Sequence, residues 1–349
     1  MNCFKHRTRS SPLSPLGERV RVRGRSEHRT SNTQRSTSNN RTSMFSVGCS
    51  MFNVRIGLVL LTVFLFASAD AHASEPVRLT TDGALKRDPC FVEGGAKLVY
   101  CYDEGPDLVR MLQMKMDDRS ITPVFGDAGN RHNLEPAWSL DGKWIAYTQC
   151  TGNLTARLVI HNRAANADSF ITHAGRGGTR SPTFSPDSKT VVYAFAETGP
   201  QQLWSVDTAG KNKKQLTECS GITNWPTFTP DGKTIVFANS RENNYEIYSV
   251  SIDGSNERRL TENTIMDIRP RVSPDGSRIT FVSTRDGNYE VYVMNLDGSR
   301  VQRITHSEER DDYPAWHPSG KQLVIASERD GEFDLYLFDV ESTQLASGN

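Results

Sequence analysis

Six prolines stand at nearly even spacing along the later part of the sequence, and residues with chemically useful side chains stand beside most of them. The prolines are Pro89, Pro136, Pro182, Pro226, Pro270 and Pro314, separated by 44 to 47 residues. Their neighbours supply guanidinium groups, carboxylates and aromatic rings, which are the groups that hold ions, peptides and protein segments. The candidate binding residues are Arg87, Asp88, Arg180, Trp225, Asp267, Arg269, Arg271, Asp311, Asp312 and Tyr313.

The charges at these positions change sign from one repeat to the next. A repeated carboxylate would indicate a cation site, and a repeated arginine would indicate a polyanion, but neither pattern occurs. A mixed rim that includes Trp225 and Tyr313 is typical of a surface for a peptide or protein segment. A solvated face without a specific partner stays open as the alternative.

Arg271 breaks a second pattern, at the position after each proline. The other five residues there are small or compact: Cys90, Ala137, Thr183, Thr227 and Ala315. Departures from a local rule tend to occur at functional sites. Two roles are open for Arg271. It could hold a partner's carboxylate in a bidentate fashion, or it could neutralise Asp267 or Asp312 within the protein.

Sequence motifs of catalysis and of metal binding are missing. There is no G-x-S-x-G, no H-E-x-x-H, no phosphate-binding glycine loop and no D-x-D-x-D-G loop. The five histidines after residue 73 do not cluster; they are His132, His161, His173, His306 and His317. We therefore expect no catalytic residue, no metal and no cofactor. A propeller lyase acting on acidic polysaccharides stays open as the enzyme alternative.

The elements that position the candidate residues follow from the repeat around each proline. In the fifth repeat, "RVS" leads through the turn "PDG" to "RITFVS", and "YEVYVMNL" leads through "DGS" to "VQRIT". Asp-Gly between alternating runs indicates a hairpin, and four strands in about 44 residues is the size of a propeller blade. The sequence predicts an all-β fold, a closed six-bladed propeller, whose candidate residues lie in loops at one mouth of the central channel.

The sixth repeat has no closing strand like "RRLT" or "QRIT". The missing piece stands instead at residues 77–82, which begin "VRLTT". We expect this N-terminal segment to complete the last blade and close the ring, because closure removes exposed strand edges.

The repeats resemble the blade motif of the TolB family of periplasmic propellers. The likeness rests on "FSPDSKTVVYAF", "FTPDGKTIVFANSRENNYEIYSVSIDG" and "VSPDGSRITFVSTRDGNYEVYVMNLDG". It implies a six-bladed propeller and a periplasmic location. Family members of the Tol–Pal envelope system carry an α/β domain before the propeller. We expect a stand-alone propeller here, since an apolar run leads almost directly into "VRLTT".

The sequence divides into three parts. Residues 1–50 are basic and of low complexity, which predicts a disordered extension or a misassigned start. Residues 51–73 read as a signal peptide, because the 14-residue apolar run at 56–69 is shorter than the roughly 20 residues of a membrane span and precedes "AHA". Residues 74–349 form the propeller. They carry a net charge of −8, which argues against nucleic-acid binding.

These observations predict an exported protein, periplasmic or otherwise outside the cytoplasm. We expect it to be a monomer without a stable membrane span, to bind an envelope protein or a peptide segment, and not to bind nucleic acid. A sensor or scaffold propeller with a small ligand is a further alternative. Export would permit disulfides among four cysteines, whose pairing the sequence leaves open: Cys90, Cys101, Cys150 and Cys219.

Overall fold

The structure is a computed structural model. The predictions for residues 1–50 and for the signal peptide at 51–73 lie outside the residues it describes. The described residues are 75–105, 108–126, 129–151, 156–173 and 177–340.

Within the described residues, twenty-four strands form six antiparallel sheets of four strands each, and the prediction of an all-β six-bladed propeller is confirmed. Blade 1 contains β2 (Lys86–Val92), β3 (Lys97–Gly105), β4 (Leu108–Lys115) and β5 (Ile121–Pro123). Blade 2 contains β6 (Arg131–Trp138), β7 (Trp144–Thr151), β8 (Arg157–Asn162) and β9 (Ala167–Ile171). Blade 3 contains β10 (Thr179–Phe184), β11 (Thr190–Phe195), β12 (Gln202–Asp207) and β13 (Lys214–Gln215).

The later blades follow the same order. Blade 4 contains β14 (Thr223–Phe228), β15 (Thr234–Asn239), β16 (Glu246–Ser251) and β17 (Arg258–Arg259). Blade 5 contains β18 (Asp267–Val272), β19 (Arg278–Ser283), β20 (Glu290–Asn295) and β21 (Gln302–Arg303). Blade 6 contains β22 (Asp311–Trp316), β23 (Gln322–Arg329) and β24 (Glu332–Asp339), with β1 (Val77–Arg78) as its fourth strand.

The turn between the first two strands of blade 5 shows how the sequence builds a blade. Ser273 donates its hydroxyl hydrogen to Asp275 at 2.6 Å and accepts a hydrogen bond from the backbone N–H of Arg278 at 2.9 Å. Gly276 has a φ of 74°, which a residue without Cβ adopts at low cost. This fixes the register of β18 against β19, in which Val272 lies opposite Ile279.

The core lies between neighbouring blades. Phe281 and Tyr292 of blade 5 pack against Val236 and Ile247 of blade 4, and Phe281 is fully buried. The aromatic residues Phe184 of β10 and Trp316 of β22 are also buried, each 8% exposed. Each sheet therefore covers the apolar face of the next one.

The segment before blade 1 pairs with the last strand of blade 6. Val77 lies opposite Leu337, and the backbone N–H of Leu79 donates to Leu335 at 2.7 Å. Asp334, which is 1% exposed, accepts hydrogen bonds from the side chains of Arg78 and Thr80. These contacts join the N-terminal segment to β24.

All four cysteines in the described part of the chain are free thiols, so none of the disulfides that the sequence left open is present there. They are Cys90, Cys101, Cys150 and Cys219. Burial raises the pKa of the Cys90 thiol to about 12, which keeps it protonated at neutral pH. Among the described residues, no helix is long and apolar enough to cross a bilayer.

Candidate functional site

All ten candidate residues lie within the innermost strand of their blades. The prediction that they lie in loops is therefore wrong. Their positions, by strand, are Arg87 and Asp88 in β2, Arg180 in β10, Trp225 in β14, Asp267, Arg269 and Arg271 in β18, and Asp311, Asp312 and Tyr313 in β22. The backbone ladder continues on both sides of each proline, so these residues belong to the strands that surround the channel.

A β-bulge in every innermost strand explains the difference. The residue before each proline has a φ between 50° and 54°, and the strand register shifts at that point. The six residues are Asp88, Glu135, Ser181, Trp225, Arg269 and Tyr313. Left-handed backbone is unusual for residues other than glycine, and a bulge re-aims a side chain relative to its sheet. Six such bulges at the same level place these side chains round one axis.

The channel contains a cavity of about 210 Å³. Its polar lining comes from Asp88, Glu135, Ser181, Thr183, Thr227 and Arg271. Its apolar lining includes the rings of Phe91, Trp138 and Phe184 at the far ends of β2, β6 and β10. Arg271 and its small counterparts in blades 1 to 4 thus share one cavity.

Arg87 and Arg180, on the innermost strands, have carboxylate partners. Arg87 pairs with Asp103 at 2.6 Å, within blade 1. Arg180 pairs with Glu135 of the preceding blade at 2.9 Å. Glu135 also accepts hydrogen bonds from the hydroxyl of Thr148 at 2.7 Å and from the backbone N–H of Ser181 at 2.8 Å. These ion pairs link neighbouring strands, so the charged groups are already paired within the protein.

Asp267 and Asp311 lie inside their blades rather than on the rim. Both are fully buried. Arg285 donates to both oxygens of Asp267 at 2.9 Å, and Arg329 lies 3.5 Å from Asp311. Burial raises the pKa of Asp311 to about 6. The burial of these two aspartates could not be predicted from their own neighbours in the sequence, because the partner arginines stand about 18 residues away, at the end of the second strand.

Arg271 does not neutralise either of the two aspartates that the sequence offered as partners. Asp267 pairs with Arg285, and Asp312 pairs with Arg269 at 3.2 Å and with Arg310. Within the described residues, the Arg271 guanidinium donates only to the carbonyl of Pro270, at 3.3 Å. Its remaining N–H groups stay available to the cavity.

Asp88 is the matching acceptor in the cavity. Among the described residues, nothing donates a hydrogen bond to its carboxylate or forms an ion pair with it within 4 Å. Burial raises the pKa of Asp88 to about 6, and the charge of Glu135 adds to this effect, while Arg269, Arg271 and Arg87 oppose it.

A band of aromatic and arginine side chains crosses blades 4 to 6. We call it the aromatic–arginine band; its members are Trp225, Tyr245, Arg269, Tyr289, Arg310 and Tyr313. All six side chains are half-buried. Tyr245, Tyr289 and Arg310 were not among the residues predicted from the sequence. The available signal was the repeated "NYE" at residues 244–246 and 288–290.

The band is continuous. The Arg269 guanidinium stacks on Trp225 at 5.2 Å and on Tyr313 at 4.2 Å, and Arg310 stacks on Tyr289 at 4.3 Å. Both arginines pair with Asp312, which is 1% exposed. Cation–π contacts and a shared carboxylate hold the rings in place, which pre-organises them for contact with another molecule.

No group of three or more histidine, cysteine, aspartate or glutamate side chains in the described ranges is arranged to hold a metal ion. The polar groups of the cavity are instead the guanidinium of Arg271, the carboxylates of Asp88 and Glu135, and hydroxyls. Such a set can bind charged organic groups through hydrogen bonds.

A family model described as the TolB beta propeller domain matches residues 66–224 and 212–347. The chain belongs to the TolB β-propeller family. Over 90 residues it is 31% identical to the Tol-Pal system protein TolB of Xanthomonas oryzae pv. oryzae. That segment covers 26% of this chain and 20% of the relative, so the match spans a fifth of the relative's length.

Solved structures of TolB proteins are similar to this propeller. A putative TolB from Agrobacterium tumefaciens is 25% identical with a TM-score of 0.58, covering 66% of this chain and 84% of that one. TolB from Acinetobacter baumannii is 23% identical with a TM-score of 0.59, covering 71% and 65%. An oligogalacturonate lyase in complex with manganese is 17% identical with a TM-score of 0.55, covering 76% and 93%, and this likeness shows the fold alone.

Proposed function

We propose that this TolB-family propeller is exported and binds a protein or peptide segment of the cell envelope through the aromatic–arginine band. The observation that carries the proposal is the unbroken run of half-buried tyrosine, tryptophan and arginine side chains on blades 4 to 6. These residue types dominate the binding energy of protein interfaces. The family relatives named Tol-Pal system protein support an envelope role.

The chemistry of the band indicates what the segment carries. Arg269 and Arg310 share the single carboxylate of Asp312, so the band has one excess positive charge. A segment with an acidic side chain and an apolar or aromatic neighbour would complement both the charge and the rings. Of the ten predicted residues, Trp225, Arg269 and Tyr313 fall in this surface. The lyase alternative rests on the shared fold.

The test is affinity capture from an extract of the source cell's envelope, with the purified protein as bait. The captured partner's Kd is then measured for the wild type and for Tyr289→Ala, which removes the ring beneath Arg310. We expect Tyr289→Ala to weaken binding at least tenfold, since an interface tyrosine of this kind contributes about 1–2 kcal/mol or more.

Phe170→Ala is the matched control. Phe170 lies on the outer strand of blade 2, where Arg157 stacks on its ring at 4.1 Å, so the control removes a similar cation–π pair away from the band. The control should leave the Kd unchanged. Equal binding by wild type, Tyr289→Ala and Phe170→Ala would show that the band is not the docking surface, and capture of no partner would argue against the binding role.

A further inference from the structure

The channel cavity holds two charged groups that the protein leaves without close partners. Asp88 stands on blade 1 and Arg271 on blade 5, and both line the same cavity. Within the described ranges neither side chain has an oppositely charged group within 4 Å. Because both line this one cavity of about 210 Å³, a single small ligand can contact both.

Three other arginines of the innermost strands differ from Arg271 in this respect. Arg87, Arg180 and Arg269 each have a carboxylate within 3.2 Å or less. Glu135, the second carboxylate in the cavity, is satisfied by Arg180, Thr148 and the backbone of Ser181. Burial lowers the pKa of Arg271, and the charge of Asp88 opposes this effect. A buried charge of this kind is costly unless something pairs with it.

The opposite charges of the two groups indicate the kind of ligand. Carboxylates bind ammonium groups through charge-assisted hydrogen bonds, and a guanidinium binds a carboxylate through two parallel ones. A molecule that carries both an ammonium group and a carboxylate would pair with Asp88 and Arg271 at once. A ligand with one charge would leave the other group unpaired.

The volume of the cavity and the residues that line it further restrict the class of ligand. Its volume of about 210 Å³ lies below the roughly 300–1,000 Å³ of pockets for larger ligands. The hydroxyls of Ser181, Thr183 and Thr227 offer hydrogen bonds, and the rings of Phe91 and Trp138 offer an apolar wall. We propose that the cavity binds a small zwitterion, an α-amino acid or a dipeptide, with its ammonium group toward Asp88 and its carboxylate toward Arg271. This proposal does not depend on the aromatic–arginine band.

The experiment is calorimetric titration of the purified protein with L-leucine and with glycyl-L-leucine. Two further probes lack one charge each: 4-methylpentanoate lacks the ammonium group of leucine, and 3-methylbutylamine lacks its carboxylate. We expect leucine or the dipeptide to bind at least tenfold more tightly than either single-charge probe. Tighter binding of leucine assigns the site to a free amino acid, and tighter binding of glycyl-leucine assigns it to a dipeptide.

Two variants test the orientation. Asp88→Asn should remove the preference for leucine over 4-methylpentanoate, because the ammonium partner is gone. Arg271→Gln should remove the preference for leucine over 3-methylbutylamine, and Arg271→Lys should restore part of it. Lys143→Gln, in an exposed turn outside the cavity, is the control and should bind as the wild type does.

If a variant does not fold, the titrations of the wild-type protein alone test the proposal. Failure of both zwitterions to bind at 10 mM, or equal affinity for leucine and both single-charge probes, would overturn the proposal. Unchanged preferences in folded Asp88→Asn and Arg271→Gln would overturn it as well. None of these outcomes bears on the docking surface, which Tyr289→Ala tests separately.

Discussion

The carboxylate of Asp88 makes stability depend on pH in a direction opposite to that of most aspartates. Its folded pKa of about 6 lies above the ordinary value of 3.8, because burial and, secondarily, Glu135 disfavour the charge. The folded protein then holds a proton that the unfolded chain releases between about pH 4 and pH 6. Stability from this group is present below pH 4 and is lost as pH rises through about 6.

Asp88→Asn should therefore stabilise the protein at neutral pH. We expect a gain of roughly 1–3 kcal/mol at pH 7 and almost none at pH 4, measured by urea unfolding at both values. Asparagine tolerates the left-handed backbone of this position, so no new strain is introduced. A gain of equal size at both pH values would contradict the assignment to ionisation.

Asp275→Asn is a control that should change stability in the opposite direction. The hydroxyl of Ser273 donates to the Asp275 carboxylate and, with other hydrogen bonds, lowers its pKa to about 2. Stability from this group is present above about pH 4 and is lost as pH falls toward 2. Asp275→Asn should thus lower stability at pH 7, where Asp88→Asn raises it.

In each of two blades, the turn between the third and fourth strands contacts the preceding blade. Gly298 in the turn after β20 has a φ of 86°, and a Cβ there would lie 2.4 Å from the carbonyl oxygen of Leu260 in blade 4. Arg258 of the same blade donates to the carbonyl of Asp297 at 2.7 Å. Gly254 and Leu216 repeat this approach one blade earlier, at 2.8 Å.

Gly298→Ala should lower stability by about 2 kcal/mol or more, because it combines left-handed strain with a clash against backbone. Gly287→Ala is the matched control: its φ is 102°, and a Cβ there would meet nothing within 4 Å. The control should cost only the strain, about 1 kcal/mol. Thermal unfolding of the two variants measures the difference, and equal losses would show that the contact with Leu260 does not matter.

Sequence periodicity was enough to predict these elements, because each depends on local chemistry. Asp-Gly turns and alternating runs such as "RITFVS" determine where strands start and end, and β19 covers those residues. The β-bulge at each proline could not be predicted from local chemistry, since the residue before the proline differs from blade to blade, for example Asp88 in blade 1 and Trp225 in blade 4. The burial of Asp267 could not be predicted either, because its partner Arg285 is distant in the sequence and is brought beside it only by the folded structure.

The whole ring depends on how its first and last segments meet in blade 6. Lys86 and Asp334 are both buried, their side chains are 3.0 Å apart, and Thr80 donates to the same carboxylate at 2.6 Å. Burial raises the pKa of Asp334, but hydrogen bonds from Thr80, Arg78 and Lys86 outweigh it and hold that pKa below its ordinary value. Leu79, 7% exposed, packs into the same interface.

Deletion of residues 75–81 should therefore weaken the entire propeller. The deletion exposes the edge of β24, removes the burial of Leu79 and takes two donors from Asp334. We expect a loss of about 3 kcal/mol or more, a fall in Tm of roughly 5–10 °C, and association through the open edge. Calorimetry and light scattering measure these effects, and a synthetic peptide of residues 75–81 added in excess should reverse them. An unchanged Tm in a monodisperse deletion variant would mean that blades 1 to 6 hold the ring without β1.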